Sequence, residues 1–400
     1  LRIAEPGPRE TAGSHAAPLS LALIGPIWPY RGGIAQYNTS LKRALGPRVA
    51  RLVAISFKRQ YPRWLYPGQS DVERDTDGQR EPDAYYLLDP LSPLSWKRTV
   101  DMVAASGCTC VIFHWWTLFW APVFALIARQ LRKRGIRVVF LGHNLADHDA
   151  GRTKARLANR LLSSADAYIV HSTEQAAAIG ALRPDAPVLH RLHPVYDRFP
   201  APRGLLPKRG RLEVLFFGFI RPYKGLNVLL EALESMADDG VFLTVVGECW
   251  DQADGKAIES SRQRLGTNLE VRLEYVDDAQ AAEYFARADV VALPYLDATG
   301  SGVVALAYHY RTPVLATRVG GLKDAVVEGS TGWLVAPGSP ADLAGTLGRI
   351  TRESAAGLAQ GIEDFVARNT WDALADDICG FVRQEVREHD GAPRPGEDDR

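Results

Sequence analysis

Four hundred residues of ordinary soluble composition, 46% hydrophobic and 24% charged, make two domains or one large one. The zero net charge is uneven: residues 1–200 hold 26 Lys/Arg against 16 Asp/Glu, giving +10, and residues 201–400 hold 21 against 31, giving −10. The basic half is expected to face something anionic, unless surface charge simply drifts between domains. Cys108, Cys110, Cys249 and Cys379 lack metal-site spacing, which argues against a structural zinc and for reduced thiols in a cytoplasmic protein.

Residues 1–18, rich in Pro, Gly and Ala, have no apolar signal core and read as a disordered tail. Ser20 to Gly25 is an apolar strand, and the loop Pro26–Gly33 ends in a Gly-Gly pair before a helix from about Ile34 to Leu45. Gly32 and Gly33 match neither a dinucleotide nor a Walker fingerprint; they either bring backbone to a ligand or form a plain tight turn. Residues 51–56 form a second strand. From Phe57 to Gln69, Lys58, Arg59 and Arg63 interleave with Tyr61, Trp64 and Tyr66. Such a loop grips a phosphorylated or sugar-bearing acceptor, or packs as a flap on its own domain. With no basic tract elsewhere, nucleic acid is the least favoured partner. Residues 68–83 are polar and read as an exposed loop.

Strands and helices then alternate: helix Ser95–Ala105, strand Val111–His114, helix Ala121–Lys133, strand Arg137–Leu141, a helix ending at Leu162, strand Tyr168–His171 and helix Thr173–Ala181. Val111 to Ala128 runs eighteen residues without Lys, Arg, Asp or Glu, the lower limit for a membrane span. His114 and Pro122 inside it favour strand, turn and buried helix instead, and the basic, Trp-rich surface remains compatible with a membrane interface. His114, His143 and His171 fall at the carboxyl ends of strands, where doubly wound sheets bind ligands. His143 stands out because His148 and Asp149 follow it.

Residues 197–211, rich in Pro, Gly and Arg, read as a linker. The second half restarts with a strand ending at Phe217. Gly218 turns the chain, Arg221 and Lys224 follow, and past Gly225 a helical face forms from Leu226, Leu229, Leu230 and Leu233. Two cations on a glycine-bearing turn at a helix start suit an anion, most economically a diphosphate, or else decorate a solvated loop. Strands follow at Phe242–Val246, Val271–Leu273, Val290–Leu293, Val314–Thr317 and Trp333–Val335. The loop Tyr295–Gly302 opens a helix at Val303 and offers a cradle for phosphate or sugar hydroxyls; Val319–Leu322 closes the next strand similarly. Trp371–Val386 is an amphipathic helix. The alternation implies parallel sheets in two doubly wound domains with a cleft between them.

Taken in order, FFGFIRPYKGLNVLLEAL, LTVVGE, ADVVALPY and TPVLATRVGGLKDAVVEGSTGWLVAPGSPADLA resemble the donor half of retaining GT-B glycosyltransferases of family four, the group 1 glycosyltransferases. The Gly32-Gly33 turn and the stretch from His143 resemble the acceptor half, so the likeness covers roughly residues 20–390. The implied fold is α/β GT-B, two Rossmann-like domains facing a cleft. An acceptor domain at 19–196 and linker 197–211 precede a donor domain at 212–366. A helix at 367–388 bearing Trp371 crosses back to the first domain, and 389–400 is a tail.

The resemblance implies roles as well. Arg221 and Lys224 neutralise the donor diphosphate, and His143 approaches the reacting sugar. Gly32, Gly33, Gly218, Asp297, Thr299 and the backbone of Ser301, Gly302 and Val303 hold the donor. Glu274, Tyr275 and Val276 lie beside the base. Arg59, Tyr61, Trp115, His148 and Asp149 form the acceptor set. A nucleotide-diphospho-sugar is the co-substrate, with no cofactor and no metal, and the acceptor is a saccharide or lipid-linked. The implied place is the cytoplasm, peripheral at the inner membrane face, without nucleic acid.

Two departures stand against the resemblance. Phe219 occupies the place where many members carry Arg, which passes that role to Arg221. The family's glutamate pair falls on Ala298 and Leu306; Asp297 or Thr299 is a substitute for the first, and nothing obvious replaces the second. A lost carboxylate contact of this kind costs about 1.5–3 kcal/mol. A nucleotide-sugar epimerase and a non-catalytic nucleotide-sugar-binding scaffold are therefore the alternatives.

Overall fold

The computed structural model describes residues 19–62, 71–72, 79–144, 152–236, 239–249 and 251–390. The expected tail at 1–18, His148, Asp149, most of the aromatic loop beyond Pro62 and residues 391–400 lie outside these. The chain forms two compact units, residues 1–191 with 371–400, and residues 192–370.

The first unit is built on a seven-stranded sheet, in the order β3-β2-β1-β4-β5-β6-β7, with every pairing parallel. Its strands are β1 (Ser20–Ile24), β2 (Arg51–Phe57), β3 (Ala84–Leu88), β4 (Cys110–Trp115), β5 (Arg137–Gly142), β6 (Ala167–Val170) and β7 (Val188–His190). Helices α1 (Gly33–Leu45), α2 (Pro93–Ala105), α3 (Ala121–Arg132), α4 (Arg152–Leu162) and α5 (Thr173–Leu182) make the crossovers. Strands β4 and β6 are buried at every position, which is why they read as unbroken apolar runs rather than as alternation. The run from Val111 to Ala128 is β4, a turn and α3. No helix among the described residues is long and apolar enough to cross a membrane.

The second unit carries a six-stranded parallel sheet in the order β10-β9-β8-β11-β12-β13. Its strands are β8 (Leu212–Phe217), β9 (Val241–Val246), β10 (Leu269–Arg272), β11 (Val290–Leu293), β12 (Val314–Thr317) and β13 (Gly332–Val335). Helices α6 (Leu226–Glu234), α7 (Gln252–Leu265), α8 (Asp278–Arg287), α9 (Gly302–His309), α10 (Leu322–Ala325), α11 (Pro340–Arg349), α12 (Arg352–Ala356) and α13 (Ala359–Arg368) complete it. The α6 leucines Leu226, Leu229, Leu230 and Leu233 are buried against Leu212, Val214 and Phe216 of β8, so the helical spacing read at the start of this half is a core face.

Residues 197–211, expected as a linker, belong to the second unit. Lys208 pairs with Asp289, and the Gly210 amide donates to Glu213 at 2.8 Å. The last helix, α14 (Trp371–Asp390), extends past the expected end and belongs to the first unit. It lies against α1. Arg48 bridges Asp372 and Asp376 of α14, and Arg137 reaches the buried Glu385 at 2.9 Å. All four cysteines are free thiols.

Candidate functional site

In the second sheet β8 and β11 are neighbours, yet the chain leaves β8 toward β9 and leaves β11 toward β12. The crevice at their carboxyl ends is where such a sheet binds ligands. Gly218, directly after β8, has φ +96°, and a Cβ there would lie 3.3 Å from Lys224 Nζ. Glycine thus gives the ammonium access to backbone at the strand end. Lys224 ends the short turn Pro222–Lys224. Gly225, at φ +64°, then starts α6 so close to β11 that a Cβ would stand 2.1 Å from the Pro294 carbonyl oxygen. The Leu296 amide donates to the Tyr223 carbonyl at 2.7 Å, tying the turn to the loop after β11.

Lys224 is only 8% exposed. Its ammonium stands 5.5 Å from the centre of the buried Tyr295 ring and has no carboxylate partner among the described residues. Burial pulls its pKa below the usual lysine range, Tyr223 opposes that, and the Arg221 charge adds to it. A buried cation with a second cation beside it and no carboxylate partner of its own among the described residues is costly by itself. An anionic ligand relieves that cost.

After β11, Ser301 caps α9, its Oγ accepting from the Val303 amide at 3.2 Å. The Val303 N–H, expected to hold the donor, is engaged by this cap. Tyr295 Oη lies 3.3 Å from Ser301 Oγ, and burial pushes the Tyr295 phenol up to about 12. A Cβ at Gly302 would sit 3.0 Å from the Tyr196 hydroxyl, a tight contact to which the end of that side chain would have to yield. Ala298 and Leu306, in the places of the family's glutamates, are both buried. The Ala298 carbonyl packs directly on Gly320, so the two loops after β11 and β12 touch backbone to backbone. Asp297 is exposed and Thr299 half-buried. Beyond β10, Glu274 pairs with Arg272 at 3.1 Å, Tyr275 is exposed and Val276 is buried.

In the first unit Gly32, at φ +101°, precedes α1 with no side-chain cap, and Gly32 and Gly33 are both exposed. Nothing crowds a Cβ at Gly32, so the backbone conformation alone calls for glycine. The three strand-end histidines do come together. His114 Nδ1 lies 2.7 Å from His143 Nε2, and the His143 and His171 ring centres are 5.7 Å apart. Tyr37 of α1 meets all three rings, with centre distances of 5.7, 4.7 and 5.1 Å, and meets Trp371 at 4.9 Å.

The acceptor set needs correction. Trp115 is 2% exposed and packs on Phe140 in the core, so its side chain is closed to an acceptor. Its half-buried neighbour Trp116 instead donates from Nε1 to Tyr61 Oη at 3.0 Å. Tyr61 also packs on Phe119, as in the flap reading. Arg59 is held by Asp89 at 2.6 Å, which neutralises the charge expected to face an acceptor. Tyr37, Tyr196 and Trp116 were not singled out in the sequence. Among the described residues no group of three or more His, Cys, Asp or Glu side chains could hold a metal ion.

Residues 211–353 match the family model described as glycosyl transferases group 1. A GDP-mannose:glycolipid 4-beta-D-mannosyltransferase of Xanthomonas campestris pv. campestris is 31% identical over 195 residues, 48% of this chain and 53% of that protein. A D-inositol 3-phosphate glycosyltransferase of Streptomyces scabiei is 32% identical over 225 residues, 51% of this chain and 50% of that one. The chain thus spans about half the length of the curated relatives it matches. The solved sucrose-phosphate synthase of Thermosynechococcus elongatus superposes with a TM-score of 0.72 at 21% identity, covering 92% of this chain and all of that one.

Proposed function

We propose, for a chain whose residues 211–353 match the group 1 glycosyl transferases and whose fold is GT-B, that it transfers a sugar from a nucleotide-diphospho-sugar. The acceptor is a saccharide or a lipid-linked saccharide, the anomeric configuration is retained, and no metal takes part. The observation that carries this reading is the Lys224 ammonium, buried beside the Gly218 turn without a carboxylate among the described residues.

In this reading Arg221 and Lys224 stabilise the negative charge that grows on the diphosphate as the sugar–phosphate bond breaks. They are positioned before reaction by the Gly218 and Gly225 turns, so little reorganisation accompanies the step. An oxygen of the departing phosphate takes the acceptor proton, and no protein base is called for. His143 is the residue assigned to the reacting sugar.

The Xanthomonas relative is named for a GDP-mannose donor and a glycolipid acceptor, which supports a lipid-linked acceptor here. So does the surface of α3 and α4, which pack side by side. Leu126 with Arg129 and Lys133, and Leu157 with Arg156 and Arg160, expose one leucine among cations on each helix. That pattern suits peripheral contact with an anionic membrane face.

The test is transfer from a panel of UDP-, GDP- and ADP-sugars to saccharide and glycolipid acceptors, with the product anomer read by NMR. Transfer with retention, abolished in Lys224→Ala, supports the reading; inversion, or undiminished turnover in Lys224→Ala, contradicts it. The scaffold reading is favoured by one observation, the buried apolar Ala298 and Leu306 in place of carboxylates. A scaffold would keep its partner binding in Lys224→Ala, and an epimerase would convert the nucleotide sugar with no acceptor present.

A further inference from the structure

Adjacent strands place two imidazoles in contact. His114 is the penultimate residue of β4 and pairs in register with Leu141 of β5, while His143 directly follows β5 and donates its amide to the Trp115 carbonyl at 2.8 Å. Room for the inner ring comes from Gly25, where a Cβ would stand 2.9 Å from that of His114. The two ring planes lie within 18° of each other with centres 5.0 Å apart, and His114 Nδ1 to His143 Nε2 is 2.7 Å, a distance at which one proton lies between the nitrogens.

We propose that His114 is a positioning residue that sets the tautomer of His143, so that a neutral His143 carries its proton on Nδ1. This rests on the assignment of His143 to the reacting sugar.

His114 is completely buried. Burial, with His171 adding to it, holds its pKa down at about 3, so the ring is neutral and has one proton to place. On Nε2 that proton would make a buried N–H with no partner among the described residues. On Nδ1 it is donated to His143, and what remains on Nε2 is a lone pair. Interiors tolerate an unmet acceptor better than an unmet donor. His114 is therefore the Nδ1–H donor, His143 Nε2 the acceptor, and a neutral His143 keeps its own proton on Nδ1. His171 is fixed separately, its Nδ1 lying 2.7 Å from the Arg191 carbonyl oxygen, and Tyr37 bounds all three rings.

The chemical consequence is a division of labour. With Nε2 held against a buried donor, that nitrogen is occupied while the pair is intact. The proton of a neutral His143 sits on the nitrogen away from His114, and Nε2 does not serve as a base. That agrees with a departing phosphate as the base.

The test is long-range nitrogen–proton NMR of imidazole-labelled protein, with the His143 signals identified through His143→Gln. In the wild type His143 is expected as the Nδ1–H tautomer. His114→Asn, whose amide nitrogen can replace Nδ1 as donor, should preserve it, and His114→Leu should move the proton to Nε2 or mix the two forms. A wild-type His143 protonated on Nε2, or an unchanged spectrum in His114→Leu, overturns the proposal. If His114→Leu does not fold, the wild-type and His114→Asn spectra decide. None of these spectra needs substrate, so a protein without transferase activity would count against the functional reading alone.

Discussion

Replacing Lys224 by Met separates what this side chain does for the fold from what it does for a ligand. Met keeps most of the aliphatic stem that passes the Gly218 turn and Tyr295, and removes the ammonium. In the unliganded protein the ammonium is desolvated beside Arg221 with no carboxylate among the described residues, so its removal should leave stability unchanged or raise it. With a diphosphate bound as proposed, Lys224→Met should lose charge-assisted hydrogen bonding worth about 1.5–3 kcal/mol. That corresponds to roughly 10- to 150-fold weaker binding.

The pH dependence has a definite sign. Burial lowers the Lys224 pKa below the unfolded value of 10.5. Between the two values the unfolded chain binds the extra proton, so this group's contribution to stability rises with pH across that window. Below it the full penalty of the buried charge applies. Urea unfolding from neutral pH upward should therefore show a rise in the wild type that is missing in Lys224→Met, and calorimetric titration with nucleoside diphosphates should show the loss of affinity. A variant that is markedly less stable without ligand and binds diphosphates as tightly as the wild type would refute the reasoning.

Other substitutions test the frame around the site. Gly320 has φ +42°, and a Cβ would stand 1.4 Å from the Ala298 carbonyl oxygen. Gly320→Ala should cost at least about 1–3 kcal/mol in urea unfolding from the strained backbone alone, and should weaken donor binding by shifting the loop after β11. Arg287 is 3% exposed at its side chain, 2.9 Å from Glu270 and 2.5 Å from Thr244 Oγ1, with Glu213 at 3.7 Å. Arg287→Met should cost about 3–5 kcal/mol, because the buried Glu213 is left without its cation and Glu270 keeps only Arg209. Trp116→Phe removes the donor to Tyr61 and keeps the ring packing, so it should cost about 1 kcal/mol in unfolding experiments.

Much of the architecture was legible because both sheets are parallel and buried, and their central strands read as apolar runs between helical spacings. The strands missed lie at a sheet edge. β3 follows a polar stretch and exposes Tyr85, and β7 has three residues. Burial on both faces also explains the error at Trp115. A strand without alternation offers no parity by which to choose Trp116 over it. The pairing of Arg59 was not legible because its partner, Asp89, lies thirty residues along the chain. The glycines and cations of the turn from Gly218 to Gly225 were legible in the sequence. What sequence could not show was the burial of the Lys224 ammonium, which depends on β11 and Tyr295, or the meeting of three strand-end histidines on Tyr37.

The most direct test of the donor site is a thermal-shift screen of the protein against nucleotide sugars, each beside its bare nucleoside diphosphate. A ligand at a hundred times its Kd stabilises the folded state by about 2.7 kcal/mol, a shift of a few degrees. The expected result is a response specific to one nucleotide, shared by its diphosphate and lost in the Arg221→Ala/Lys224→Ala double variant. No response to any nucleotide, or one that survives in the double variant, would contradict a diphosphate site at this turn.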